Sequence, residues 1–152
     1  MERSDGWEQD LEGFLLSRVA KPFKWSANDC CSFAFDSIES ITGVDVGEVF
    51  RGRYRGRGKA FKLLEEHSGG SIAETWEKLA DEYGMEQIEP SELKAGDVAT
   101  IKIKPLDPVA GRLSNGISVG VKAFTRGFVS PGKDGLVLNE NPEVVKAWRV
   151  GE

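Results

Sequence analysis

Adjacent cysteines sit in the stretch Asn28-Asp29-Cys30-Cys31-Ser32-Phe33. A thiol at the start of a helix can be a nucleophile, because unpaired N–H groups and the helix dipole favour the thiolate there. On a wheel of about 100° per residue, Ala34, Ile38, Phe35, Ile41 and Cys31 form an apolar stripe and Cys30 falls at its edge. Cys30 is therefore the candidate nucleophile, and Cys31 reads as a small core residue. Read from these residues alone, two cysteines on a helix point more to packing than to catalysis. A nucleophilic thiol normally has a base beside it, and the chain holds one histidine, His67. That residue follows a helix and precedes Ser68-Gly69-Gly70, where an imidazolium would complement the helix C-terminus. His67 is expected to be exposed and away from the thiol.

The second chemical feature is the run Arg51-Gly52-Arg53-Tyr54-Arg55-Gly56-Arg57-Gly58-Lys59, with five cations in nine residues. As a glycine-rich loop it could grip a single-stranded nucleic-acid backbone and stack a base on Tyr54. The net charge of −5, from 25 acidic and 20 basic residues, weighs against that partner and against a membrane surface. The alternatives are ion pairs with acidic patches of this chain or of a neighbour, and Arg51 or Arg53 could pin the loop to the cysteine helix through carboxylates.

These groups need a scaffold, and 152 residues suffice for one domain with a real core. Trp7, Leu11, Phe14, Leu15 and Val19 recur at helical spacing, with Pro22 as a stop. A second helix is expected over Asp29–Ile41, closed by Gly43, and a third over Lys59–Glu66. Ser71 and Glu74 form a capping box before the stripe Ile72, Trp76, Leu79 and Tyr83, which Gly84 ends. After Pro90 the pattern alternates: Ala99, Ile101 and Ile103 share one strand face, Ile117, Val119 and Val121 another, and "GLVLNE" and "VVKAWRV" complete the set. Helices followed by an antiparallel sheet make an α+β domain. The inner sheet face is expected to carry Ile101, Ile117, Val119 and Val121. Consecutive cysteines suit no disulfide, no Cys/His set has zinc-ligand spacing, and no cofactor is called for. No segment has the length of a membrane span, and the first residues lack a signal-peptide core, which leads to an expectation of retention in a cytoplasm.

The pattern W-x-x-N-D-C-C-S-F-A, then a helix, a T-G-x-D turn, FRGRY, an acidic helix, L-K-A-G-D-V and G-I-x-V-G, resembles the NlpC-type papain-like cysteine peptidases. It is similar above all to their phage-encoded branch among tail proteins and gene-transfer-agent components. The resemblance covers about Trp25 to Val121 and extends toward Trp148. It implies a single NlpC-like domain over residues 1–152, with N-terminal helices on a C-terminal antiparallel sheet. It also implies that the cysteine cutting murein stem peptides corresponds to Cys30. The family's basic histidine opens a strand reading H-V-G-I-x-x-G. Aligned on Ser114-Asn115-Gly116-Ile117-Ser118-Val119-Gly120, that histidine falls on Ser114, which has no usable basicity. Asn139 is the candidate orienting residue. The implied function is a tail or tail-tip component whose peptidase chemistry is lost, made in a bacterial cytoplasm and then carried in a virion or gene-transfer-agent tail. Its partners would be other tail proteins, contacted through Arg51, Arg53, Arg55 and Arg57 or the chain termini, and murein peptide as a recognised rather than cleaved ligand. The alternative is an active murein endopeptidase with Cys30 as nucleophile. A free-standing binding module using the arginine run is a third class.

Overall fold

The computed structural model describes all 152 residues. Four helices come first: α1 (Trp7–Arg18), α2 (Cys30–Thr42), α3 (Arg57–Ser68) and α4 (Ile72–Tyr83). A two-residue strand β1 (Gln87–Ile88) and a 3-10 turn lead to β2 (Val98–Lys102), then the short α5 (Pro108–Leu113). Strands β3 (Ile117–Lys122), β4 (Phe128–Gly132), β5 (Gly135–Asn139) and β6 (Glu143–Trp148) follow. The six strands form one sheet in the order β1-β6-β2-β3-β4-β5, and every pair is antiparallel. The expected α+β segregation is therefore observed. No helix is long and apolar enough to cross a membrane.

Local chemistry sets the helix ends. Gly43, Gly69 and Gly84 take left-handed backbone at the C-termini of α2, α3 and α4, where a side chain would be strained. The capping box of Ser71 and Glu74 is present at α4. Helix α3 begins at Arg57, so Arg57, Gly58 and Lys59 are helical and the expected arginine loop is shorter than 51–59. Arg and Lys are good helix formers, and Arg57 is further fixed by an ion pair to Asp107.

Helices α2 and α4 bury Phe33, Ala34, Ile38, Ile41, Trp76 and Leu79 against Val98, Val119, Val121 and Trp148 of the sheet. Ile117 packs at the border of this core. Ile101 does not join that face. It pairs with Ser118 on β3 and clusters instead with Ala99, Phe128 and Ala147. Strand period fixes which residues share a face, and pairing register decides which face meets the helices.

Asp97, the aspartate of the "AGDV" stretch, is wholly buried and structural. Its carboxylate accepts hydrogen bonds from Arg3 Nη2 at 2.9 Å, Arg149 Nη1 at 2.6 Å, and the N–H groups of Lys94 and Val150, each at 2.9 Å. Arg3 also donates to the carbonyls of Val150 and Ala95. Every charge in this knot has partners, as a buried ion pair requires.

Candidate active site

The turn before α2 is built around Asn28 and Asp29, both buried. Asn28 Nδ2 donates to the carbonyls of Lys21 and Pro22, and its Oδ1 accepts from Arg18, tying the incoming chain down. Asp29 is the N-cap: Oδ1 accepts from the Ser32 N–H at 2.7 Å, and Ser32 Oγ accepts from the Asp29 N–H at 2.8 Å. The other oxygen, Oδ2, accepts from the Ser26 N–H at 2.8 Å and from the Tyr54 hydroxyl at 2.5 Å. Both carboxylate oxygens are thus occupied, so Asp29 positions the helix start and is no base for its neighbour. Burial, followed by the Asp29 charge, pushes the Tyr54 phenol well above its ordinary value.

This frame leaves Cys30 in the first turn of α2, part-exposed, with Cys31 buried behind it. The Cys30 thiol is held below its ordinary value, first by a hydrogen bond from the Cys31 thiol. Burial and the Asp29 charge oppose that shift, while the Ser118 hydroxyl and the Val119 N–H add to it. Cys31 moves the other way, because its proton serves Cys30 and its surroundings are apolar. The helical wheel expected Cys31 in the core and Cys30 at its edge, and their burial follows that order.

Cys30 lines a cleft of about 290 Å³. Trp25, Phe61 and Leu64 form part of its lining, as do Ile103, Leu106 and Ala110 from the β2–β3 connection. Asp29, Tyr54, Ser114, Ile117, Ser118 and Ser130 also line it. Ser118 is the buried β3 hydroxyl in this lining, and it donates to the Val119 carbonyl at 3.4 Å. Ser114, which the sequence alignment had set opposite the thiol, ends α5, and its hydroxyl donates to the Gly111 carbonyl at 3.3 Å. Sequence reasoning missed Ser118. Its place in the lining follows from strand pairing, which local sequence pattern does not encode.

No imidazole enters the cleft lining. His67 is not exposed as expected: its side chain is only 12% accessible, and Nε2 lies 3.3 Å from Glu82 Oε1. The edge of Phe50 closes over the ring with centroids 5.0 Å apart. Packing of α3 on α4 buries the ring, and His67 remains apart from the cysteine cleft. Asn139 ends β5, the outer strand two removed from β3. It does not line the cleft and orients nothing there. Ser130, on the intervening β4, does line it.

The arginine run divides in two. Arg51 donates to Asp45 at 2.7 Å and pairs with Asp36 at 2.7 Å and Glu39 at 3.3 Å, which pins the loop to the cysteine helix. Arg57 pairs with Asp107 at the cleft rim. Arg53 donates to the Val49 carbonyl, and Arg53 and Arg55 are exposed. Tyr54 is buried and committed to Asp29, so it offers no face for stacking a base. No group of three or more His, Cys, Asp and Glu side chains is placed to hold a metal ion.

A search of curated proteins finds no match to the chain. Residues 2–150 match the family model described as a domain of unknown function, DUF6950. Since that match spans nearly the whole chain, the protein with this part-exposed, histidine-free cysteine cleft belongs to the DUF6950 family.

Proposed function

We propose that the domain is an NlpC-like, papain-like fold whose murein-peptidase chemistry is lost, and that it works as a structural or assembly component of a phage or gene-transfer-agent tail. The carrying observation is that the cleft onto which Cys30 opens is lined by the hydroxyls of Ser114, Ser118 and Ser130 and by no imidazole. A hydroxyl takes no proton from a thiol at neutral pH and gives none to a departing amine. The tail assignment is supported by the sequence resemblance. Docking of exposed Arg53 and Arg55 on an acidic partner suits a basic loop on an otherwise acidic chain. With Arg51 and Arg57 engaged within the chain, those two arginines carry most of the contact.

Two measurements test this reading. Incubation with purified murein should release no peptide above a Cys30→Ala control, and purified particles should contain the chain. Cys30-dependent peptide release would establish the alternative, an active endopeptidase, which the lowered Cys30 thiol favours. Absence of the chain from particles would remove the tail assignment.

A further inference from the structure

The cleft around Cys30 is apolar beyond what a murein stem peptide would use. Fifteen of its twenty-four lining residues are hydrophobic. Its charged members are Asp29, Lys104 and Asp107. Asp29 is saturated by three hydrogen bonds, Asp107 is paired with Arg57, and Lys104 is exposed at the rim. No buried cation is left to receive the carboxylates of a stem peptide, and leaving such groups unpaired in an apolar site is costly. An apolar cavity of about 150 Å³ holds one benzene ring. The 290 Å³ here therefore suits a hydrocarbon of roughly twelve carbons.

The thiol can do one kind of acyl chemistry without a base. Amide cleavage ends with an amine that must be protonated, and no acid stands ready. Thioester exchange ends with a thiolate, which leaves unaided. We propose that the cleft binds a medium-length acyl chain and that Cys30 accepts it from an acyl thioester. The Cys30 thiolate attacks the carbonyl carbon, a C–S bond to Cys30 forms, and the bond to the donor sulfur breaks with its electron pair. The donor departs as a thiolate, and no net proton moves. Cys30 opens helix α2, where the unpaired N–H groups of the first turn favour the thiolate nucleophile. Trp25, Phe61, Leu64, Ile103 and Leu106 line the space for the chain.

This inference deepens the reading of the Cys30 cleft as a site that has lost amide hydrolysis, and its test is separate from murein digestion and particle composition. The probe is the N-acetylcysteamine thioester of decanoic acid, with the acetyl thioester beside it and intact-mass spectrometry as the readout. The expected result is one decanoyl group per chain, released by hydroxylamine and absent from Cys30→Ala. It should form about tenfold or more faster than the acetyl adduct, because each methylene buried in an apolar site strengthens binding. Ala110→Phe, which fills the cleft, should bring the decanoyl-to-acetyl rate ratio toward one. Wild-type protein that gains no decanoyl group overturns the proposal, whether or not iodoacetamide alkylates Cys30. Equal decanoyl and acetyl rates in the wild type overturn it as well.

Discussion

The Tyr54 hydroxyl donates a 2.5 Å hydrogen bond to the carboxylate of Asp29, one residue before Cys30. A loop side chain is thereby fixed to the cap of the cysteine helix. Arg51 makes a second tie from the same loop to Asp36 and Glu39, further along α2. The glycine-arginine segment thus braces the cysteine helix at its cap and along its middle turns.

Tyr54→Phe should lower unfolding free energy by about 1.5–3 kcal/mol, the usual range for a hydrogen bond to a charged group. Urea denaturation near neutral pH measures it. The same tyrosine sets an alkaline limit. Its folded value is raised above the unfolded one, so the folded chain keeps a proton that the unfolded chain loses above about pH 10. This contribution is complete below that pH and falls as pH rises toward the folded value. The Phe variant should show a flatter loss of stability at high pH, and equal slopes would refute the linkage.

Iodoacetamide should alkylate Cys30 well before Cys31 in the folded protein, since one thiol is part-exposed and lowered while the other is buried and raised. Peptide mapping after partial alkylation distinguishes them. Because the Cys31 thiol is the main donor to Cys30, Cys31→Ala should move the midpoint of the Cys30 pH–rate profile upward. An unchanged midpoint would assign the low thiol to the helix N-terminus and β3 instead.

Ser118→His should place an imidazole beside the sulfur, and Ser114→His should not. The first variant is expected to raise Cys30 alkylation at pH 6–7 by roughly tenfold through a thiolate–imidazolium pair. The second should leave it near the wild-type rate. Acceleration in Ser114→His alone would restore the register read from the sequence and displace the structural one.

Asp97→Ala should destabilise the chain by about 3–5 kcal/mol, because it strands the buried Arg3 guanidinium. Asp97→Asn should recover part of this loss by keeping acceptors for the backbone donors. Thermal and urea unfolding of both variants provide the measurement, and a near-neutral Ala variant would show that solvent reaches Arg3.

The helices were the legible part of the chain. The expected second helix, Asp29–Ile41, is observed as Cys30–Thr42 with Asp29 as its cap. The Ser71 capping box marked α4, and the first stripe marked α1, although its last member, Val19, is 53% exposed. Such signals are local and lie within four residues of each other. The sheet was legible as strands and illegible as a surface. Ile101 alternates correctly with its own neighbours, yet only its pairing with Ser118 shows that it turns from the helices. The site suffered from the same cause. Ser114 and Ser118 both precede a glycine by two residues, and local pattern gave no reason to choose between them. Cys30 could be singled out because a helix start is written in a few adjacent residues. Its partner across the sheet depends on long-range register. The tether from Tyr54 to Asp29 joins residues 25 apart and left no periodic trace.

Arg3 binds the carbonyl of Val150 through its side chain, and its N–H reaches the carbonyl of Glu152. The first and last described residues therefore lie side by side, held by the Asp97 knot. A domain with this geometry can be spliced into a surface loop of a host protein without threading the host chain across it. For the same reason, a circular permutant joining Glu152 to Met1 and opened at the exposed Lys133-Asp134 turn should retain the cleft. Its mounting point and its chemistry are then separable modules for an engineer.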